Sequence, residues 1–366
     1  MNKKILILIL IILFVFGISG CSLDSLRKSK DTKDIDYNVG TQGVTLEFLS
    51  NTPPNEAWAE STLPIQIKVM NLGSTTIDEF NEGNLKGSEV EGGYLVLTGY
   101  DPQYIYQGTR GTRIEAKELG ILNARNRFNP MGDLRIVDFN PDISKLEEVL
   151  YDYIEQPIVA MACYIYRTKA SPNVCLSSKT VDTENDPCKV SDITLDSQAA
   201  PVAVKKIEVS AAPRDNMIDY IFVIHVKNVG KGEVVVQNMI YKDGRNNGEA
   251  CVVPSGTNIP SYQQLNRVYI EDLRVGNKVF PGKNAGLGCE RLDIFQGSGA
   301  NYDNVVILDD KGEGLAAFKC KFDQNELRTP YETPLNIKIK YGYRERISKI
   351  IKINKRSEEV INLNNK

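Results

Sequence analysis

Histidine is almost absent from this chain, which has a single one, His225, among 366 residues. Nucleophilic sites of the Ser-His and Cys-His types need an imidazole as their base. His225 falls in an alternating segment, opposite the apolar side chains, at the position that Lys68 holds in a related segment. We therefore expect a solvent-facing strand residue there, and the chain offers no histidine-dependent nucleophile.

Closely spaced metal ligands are lacking as well. None of the seven cysteines stands in a C-x-x-C pair, whereas structural zinc sites are built from such pairs and from histidine. The acidic segment 309–314 (DDKGEG) lacks the alternating ligands of an EF-hand loop. We expect no metal and no cofactor, and a turn between two strands at 309–314.

An excess of basic residues is also missing. The formal net charge is −3, whereas nucleic-acid binding needs concentrated lysine and arginine to displace counterions. The Gly-x-Gly pieces at 230–232 and 312–314 fall between strands, with no following helix to bind a phosphate. We expect neither a nucleic-acid partner nor a nucleotide.

The one long apolar run lies at the N-terminus. Lys3 and Lys4 precede an unbroken apolar or glycine stretch from Ile5 to Ile18. This is the order of a secretory signal, with small residues at its end. A plain membrane anchor is the alternative, but fourteen residues at about 1.5 Å each span about 21 Å, short of a hydrocarbon core of about 30 Å.

The segment Ile18-Ser19-Gly20-Cys21 resembles the lipobox of prokaryotic lipoproteins. That resemblance implies a signal peptide at 1–20, acylation of Cys21, and a mature chain held by lipid on the extracytoplasmic face of the cell membrane. Because a single acyl chain anchors only marginally, we expect additional acylation of Cys21. Residues 21–40 are charged and polar, which predicts a flexible lipidated spacer.

The other cysteines predict disulfide bonds. An even number in an exported chain favours bridges, because thiols are not kept reduced outside the cytoplasm. Six cysteines allow fifteen connectivities. We expect Cys175 to pair with Cys188 and the bridges to stay within their domains. The candidates are Cys163, Cys175, Cys188, Cys251, Cys289 and Cys320.

A weak internal repeat indicates the fold. Residues 63–73 (LPIQIKVMNLG) align without a gap with residues 220–230 (YIFVIHVKNVG), and both alternate as half-buried strands do. The closing Asn-x-Gly suits a turn that uses positive φ. Residues 157–171 match residues 334–348 at an offset of 177, and each is followed by a short apolar segment. We interpret each as a C-terminal β-hairpin.

The strand with Asn-x-Gly and the later Pro-containing turns at 129–132 and 280–282 resemble the Ig-like CARDB-type modules of bacterial and archaeal surface proteins. The resemblance implies an all-β fold with two tandem Ig-like β-sandwich domains. We place them at 41–178 and 200–356, with a linker at 179–199 and a polar tail at 357–366. Helical spacing of apolar residues at 143–154 predicts a short helix inside the first domain.

Two kinds of surface feature are candidates for function. Tyr94, Tyr100, Tyr104 and Tyr106 lie close together in the sequence and could stack on sugar rings or anchor a protein, although edge packing of a sandwich also uses tyrosine. Acidic clusters at 78–79, 89–91, 182–186 and 309–310 could supply a pair of carboxylates to a hydrolase, although acidic residues in loops are normally just solvated.

From these observations we expect a protein that is not an enzyme. It would be a lipid-anchored cell-surface component with a structural or adhesive role, or an accessory subunit of an envelope assembly, with the membrane and envelope proteins as partners. The alternative is a surface lipoprotein that binds glycans through the region of Tyr94 to Tyr106. A carboxylate-dependent hydrolase is a third possibility.

Overall fold

The computed structural model describes residues 37–78, 92–147, 150–178, 186–236, 265–280, 288–292 and 304–356. The expected signal peptide, Cys21, most of the expected spacer, Cys251 and the expected polar tail lie outside these residues. From Tyr37 onward the chain forms one compact unit. Its regular elements in the described ranges are β-strands and one 3-10 turn at Gln324–Leu327. The all-β sandwich class expected from the sequence is confirmed.

Twenty strands make up the described fold. In chain order they are β1 (Val44–Phe48), β2 (Glu56–Trp58), β3 (Ile65–Asn71), β4 (Gly93–Thr98), β5 (Ile105–Tyr106), β6 (Lys117–Glu118), β7 (Leu134–Phe139), β8 (Asp142–Ile143), β9 (Tyr153–Ala170), β10 (Asn173–Leu176), β11 (Ile193–Thr194), β12 (Val202–Arg214), β13 (Met217–Asn228), β14 (Glu233–Val235), β15 (Arg267–Val275), β16 (Lys278–Phe280), β17 (Cys289–Arg291), β18 (Val305–Ile307), β19 (Glu313–Asp323) and β20 (Tyr331–Asn354).

Three large sheets share one apolar core. The first half of the chain forms a sheet of order β1-β3-β7, and the second half forms one of order β11-β12-β13-β19-β17. A ten-stranded sheet of order β16-β15-β20-β9-β4-β6, with β2, β10, β14 and β18 alongside, contains strands of both halves. Buried side chains of all three sheets belong to the same core cluster.

The repeat detected in the sequence has the same place in both halves. β3 lies between β1 and β7, and β13 lies between β12 and β19, with antiparallel pairing throughout. Every second residue of β3 is buried, and Tyr220, Phe222, Ile224 and Val226 alternate likewise in β13. The alternation therefore predicted both the strand and the side that it buries.

β9 and β20 join the two halves. They pair antiparallel over eighteen residues, from Tyr153 opposite Asn354 to Ala170 opposite Ile337. The expected C-terminal hairpins are wrong. Strand β20 is unbroken. Strand β10 does not fold back on β9 but pairs with β20, in the same register in which β9 pairs with β20. The polar residues near Arg167 and Arg344 do not form turns. Arg167 instead makes a two-pronged ion pair with Glu271 of β15, at 2.7 and 2.9 Å.

Each half thus places its last strand in the sheet of the other. β10, which follows the first repeat, pairs with the start of β20, and the end of β20 pairs with β2 near the start of the first repeat. The boundaries expected at 41–178 and 200–356 remain a prediction, and a sheet shared by both halves connects the two segments.

The helix expected at 143–154 is wrong for the described residues of that segment. Ile143 belongs to β8, and β9 begins at Tyr153. Leu150, which the helical spacing assigned to a buried face, is 97% exposed. Pairing with β20 takes Tyr153 and Ile154 into a sheet, and this long-range partner is invisible to local spacing.

Four buried tyrosines on β9 and β20 form hydrogen bonds to backbone amides near the start and the loop of each repeat. The hydroxyls of Tyr164 and Tyr341 accept hydrogen bonds from the backbone amides of Val44 and Val202, at 3.1 and 3.2 Å. The hydroxyls of Tyr166 and Tyr343 do the same for Thr75 at 3.1 Å and Gly232 at 2.7 Å. Burial raises the pKa of Tyr164 and Tyr341 well above the ordinary value, so both phenols remain protonated.

The same tyrosines explain the Asn-x-Gly of each repeat. The positive-φ glycines do not include Gly73 or Gly230, so the expected reason for glycine is wrong. A Cβ on Gly73 would overlap the Tyr166 hydroxyl, and one on Gly230 would overlap the Tyr343 hydroxyl. The amide of Asn71 binds the Thr75 carbonyl at 2.8 Å and closes the loop around the phenol.

The described residues contain two disulfide bonds. Cys175 of β10 bonds Cys188, as predicted, and this bridge ties the segment around Cys188 to the shared sheet. Cys289 bonds Cys320, which lies directly opposite it on the neighbouring strand β19, so this bridge is local to the second half. Cys163 is buried in β9 and belongs to neither bridge.

Candidate functional site

Exposed large apolar side chains mark two surfaces of the described protein. Thirteen such residues are exposed, and eleven of them fall into two groups. We call the first group the distal face. Its exposed apolar members are Trp58, Leu150, Tyr151, Tyr153 and Ile350. It also includes the polar residues Glu56, Lys352 and Asn354, which lie on the strands of Trp58 and Ile350. The second group is the proximal patch: Val39, Ile121, Phe128, Met131, Leu134 and Ile136.

Three adjacent strands build the centre of the distal face. Trp58 of β2 and Tyr153 of β9 both lie opposite Asn354 of β20, one on each side. Residues opposite one another point to the same face of a sheet, so the two rings flank one amide. Two strand spacings separate their backbones by about 10 Å. Trp58 is 56% exposed and Tyr153 46% exposed, whereas their neighbours Ala57 and Ile353 are buried on the other side.

Polar groups between the rings hold one another in place. The Asn354 amide nitrogen donates to a Glu56 carboxylate oxygen at 3.1 Å. The Lys352 ammonium lies 4.6 Å from the centre of the Tyr153 ring and 3.8 Å from the Glu56 carboxylate. The cation therefore supports one side of the tyrosine ring and neutralises the acid. This arrangement offers aromatic faces for stacking, with amide and carboxylate groups for hydrogen bonds.

The four tyrosines expected to form a ligand-binding cluster are placed differently from one another. Tyr94 and Tyr100 are buried, and the Tyr100 hydroxyl accepts a hydrogen bond from the Ile114 amide at 2.8 Å. Burial raises the pKa of Tyr100. Tyr104 is half-buried and packs against the core. Tyr106 borders an open polar cavity of about 430 Å³ with Arg110 on its rim. Edge packing accounts for the buried pair, so the cluster is not one exposed platform.

His225 lies on the outer side of β13, as the repeat predicted. Its ring nitrogen Nε2 is 3.0 Å from a Glu208 carboxylate oxygen. Lys206 contacts the same carboxylate at 3.0 Å and Asp192 at 2.9 Å, and the hydrogen bond from Lys206 lowers the pKa of Glu208. Lys206 and His225 border a groove of about 620 Å³, where Lys227 and Glu313 also pair, at 2.6 Å. The charges satisfy one another within the sheet.

The acidic segment at Asp309 forms a turn between β18 and β19, as predicted. One Asp309 carboxylate oxygen accepts from the backbone amides of Lys311 and Glu313, at 2.9 and 2.8 Å. Among the described residues no group of three His, Cys, Asp or Glu side chains could hold a metal ion. The acidic clusters at 89–91 and most of 182–186 lie outside the described residues. Within the described ranges, no helix has the length and apolarity of a membrane span.

Comparisons with known proteins do not identify a family for this chain. No model of a protein family matches the chain, and no curated protein does. Among solved structures, the C-terminal domain of the AgI/II polypeptide BspA of Streptococcus agalactiae is similar over 85% of this chain and 98% of that one. The identity is 8% and the TM-score 0.16, which carries no argument about fold or function.

Sequence reasoning missed the distal face. Trp58 and Tyr153 are far apart in the chain, and they meet only because β2 and β9 pair with opposite sides of β20. The one available signal was local: Glu56 and Trp58 flank Ala57 in an alternating segment that holds the only tryptophan of the chain.

Proposed function

We propose that the protein is a non-catalytic, lipid-anchored component of the cell surface, which holds a binding face away from the membrane for adhesion or for an envelope assembly. The anchor would be an acylated Cys21, with the spacer to residue 40 leading into the folded unit. The observation that carries the proposal is the position of the distal face relative to the point where the chain enters the fold.

The chain enters the described fold at one end of the first sandwich. An Arg125 guanidinium nitrogen donates to the Val39 carbonyl at 2.5 Å, and the Arg125 amide donates to the Gly73 carbonyl at 3.0 Å. The entry is thus fixed beside the Asn-x-Gly loop. That loop follows the end of β3, the strand that leads away from the distal face.

The distal face lies at the other end of the same sandwich. The Ala59 amide donates to the Asn354 carbonyl at 3.0 Å, just before β3 begins. Along β9, Tyr153 precedes Tyr166, whose hydroxyl binds beside the entry loop, by thirteen positions, a length of about 43 Å in a strand. A chain tethered at its entry would therefore hold Trp58 and Tyr153 far from the point of attachment.

The shared sheet supports a role that needs rigidity. The ladder between β9 and β20, the buried tyrosines and the bridge between Cys175 and Cys188 join both halves into one body. A rigid body keeps a binding face at a set height above the membrane and transmits load between its ends.

Two measurements test the proposal. Intact mass of the membrane-extracted protein should show loss of residues 1–20 and gain of acyl groups, and Cys21→Ser should release the protein from the membrane fraction. A mass with the first twenty residues attached and no acyl group would reject the anchor. Envelope proteins cross-linked by the wild type should be lost in a Trp58→Ala, Tyr153→Ala variant and retained in Tyr331→Ala, a matched exposed tyrosine of β20.

Glycan binding is the second candidate, and the row of ring, amide and ring favours it. Sugars combine apolar faces with hydroxyl groups, which suit the rings of Trp58 and Tyr153 and the Asn354 amide between them. Because Trp58 is the only tryptophan, its fluorescence reports on this face directly. Saturable change with an oligosaccharide, lost in Tyr153→Ala, would favour this candidate, and an unchanged spectrum across a glycan panel would favour a protein partner.

A further inference from the structure

We propose that the proximal patch is a membrane-contact surface that inserts into the headgroup region of an anionic lipid bilayer. The inference rests on the proposed lipid anchoring, and it adds a second, non-covalent attachment that orients the protein. The occupant of this patch is the bilayer itself, because the patch lies where the chain enters the fold from the expected anchor.

Backbone contacts join the members of the patch. Arg125 binds the carbonyl of Val39, and Phe128 follows Arg125 by three residues, so their backbones lie within about 11 Å. The Asp133 amide donates to the Asn123 carbonyl at 3.1 Å, which sets the segment of Ile121 beside that of Leu134. Leu134 and Ile136 alternate on the exposed side of β7, an edge strand of its sheet.

A tight turn presents Phe128 at the tip. The Asn126 side-chain oxygen accepts from the amides of Phe128 and Asn129, at 2.8 and 2.9 Å. The Asn129 side chain in turn donates to Asp133 at 2.5 Å. Phe128 is 89% exposed and Met131 73% exposed on this internally bonded loop. Insertion of a loop that is already shaped costs little additional ordering.

The charges around the patch suit anionic headgroups. Arg125, Arg127 and Arg135 belong to the same segment, and the Arg127 guanidinium lies 5.3 Å from the centre of the Phe128 ring. The carboxylate of Asp133 is occupied by the backbone and side-chain amides of Asn123 and by Asn129. Apolar tips flanked by arginine are the combination that binds the interface of anionic bilayers.

The length of chain before the fold permits the contact. Sixteen residues, from Cys21 to residue 36, precede Tyr37 and span at most about 55 Å. Such a spacer alone would leave the fold free to turn in any direction. A second attachment beside the entry fixes the orientation, and one acyl chain by itself anchors only weakly.

The single tryptophan makes the test direct. In a Trp58→Phe background, Phe128→Trp places the only tryptophan in the patch, whereas the unmodified chain carries it on the distal face. Both chains, as mature acylated protein and with Cys21→Ser, are mixed with vesicles of phosphatidylglycerol and phosphatidylcholine whose acyl chains are brominated. Bromine quenches tryptophan only within the bilayer.

We expect quenching and a blue shift at position 128 and neither at Trp58. In the Cys21→Ser chain the same signal should appear at higher lipid concentration. In the Cys21→Ser chain, Phe128→Ala with Met131→Ala should weaken lipid binding, measured by co-sedimentation with the vesicles, at least about tenfold, and replacing phosphatidylglycerol by phosphatidylcholine should weaken it further. Ile350→Ala is the matched control on the distal face and should have no effect.

The outcomes separate the two proposals. No quenching at position 128 in a chain that remains on the vesicles overturns the membrane contact and leaves the anchor intact. Equal quenching at position 128 in the acylated mature protein and in the Cys21→Ser chain supports the contact and rejects the acyl anchor as the source of attachment. Quenching at Trp58 instead would overturn both the contact and the outward orientation of the distal face.

Discussion

Tyr164 of β9 lies directly opposite Tyr343 of β20, although its counterpart in the repeat is Tyr341. Tyr166 likewise lies opposite Tyr341, its ring centre 6.3 Å from the other. Each repeat therefore contacts the other through the same surface, as the subunits of a two-fold symmetric dimer do. The ladder between β9 and β20 is an internal version of such an interface.

The tyrosine hydroxyls should contribute measurably to stability. Tyr341→Phe removes the acceptor of the buried Val202 amide and a hydroxyl 2.9 Å from that of Thr168. An unsatisfied buried amide costs about 1–3 kcal/mol, so the free energy of unfolding should fall by that amount in urea titration. Tyr331→Phe, on the same strand and 38% exposed, is the control. Equal effects of the two changes would contradict the role of the hydroxyl.

Gly73 and Gly230 should tolerate no side chain. In either position a Cβ would overlap a tyrosine hydroxyl, and forced repacking of a core costs about 1–3 kcal/mol. Gly73→Ala should therefore lower the melting temperature by several degrees, and Tyr166→Phe in the same chain should recover part of the loss. Nothing lies within 4 Å of a Cβ on Gly108, where φ is +75°, so Gly108→Ala carries only backbone strain. Strict additivity of Gly73→Ala and Tyr166→Phe would argue against the overlap.

Glu345 should lower stability at neutral pH. Partial burial raises the pKa of its carboxyl, so folding favours the protonated form. The unfavourable contribution begins as pH rises past the unfolded pKa of about 4.3, grows until the folded pKa, and is constant above it. Glu345→Gln should raise the melting temperature at pH 7 and change it little at pH 3. An equal gain at both pH values would point to a cause other than ionisation.

The disulfide map is directly measurable. A non-reducing digest of the exported protein should contain the linked peptides of Cys175 with Cys188 and of Cys289 with Cys320. Replacing both cysteines of a bridge by alanine should cost about 2–4 kcal/mol, slightly more for the second bridge because it closes 31 residues rather than 13. A peptide that links Cys175 to Cys320 would contradict the fold.

The sequence predicted what depends on local alternation. Residues 63–73 and 220–230 became equivalent central strands, and His225 and the turn at Asp309 lie where the pattern placed them. Cysteine spacing was enough for the bridge between Cys175 and Cys188. In each case the partner residues are near in the chain or the signal is the period of a strand itself.

Features that depend on pairing between distant segments were not predictable in this way. The polar stretch after Tyr343 suggested a turn, yet β20 continues through it because β9 supplies a partner for its whole second half. The distal face needs β2 and β9 on opposite sides of β20, an arrangement without local signal. The requirement for glycine at position 73 was also not predictable from its own segment, because the hydroxyl that leaves no room for a side chain belongs to the distant Tyr166.

Native-state hydrogen exchange tests the central claim most directly, namely that the two repeats form one intertwined body. Backbone amides of residues 158–166 in β9 and 341–349 in β20 face one another in the ladder. They should exchange through a common opening, with the same free energy and the same dependence on denaturant. Two openings that differ by more than about 2 kcal/mol, one for each half of the chain, would show separate domains and contradict the account.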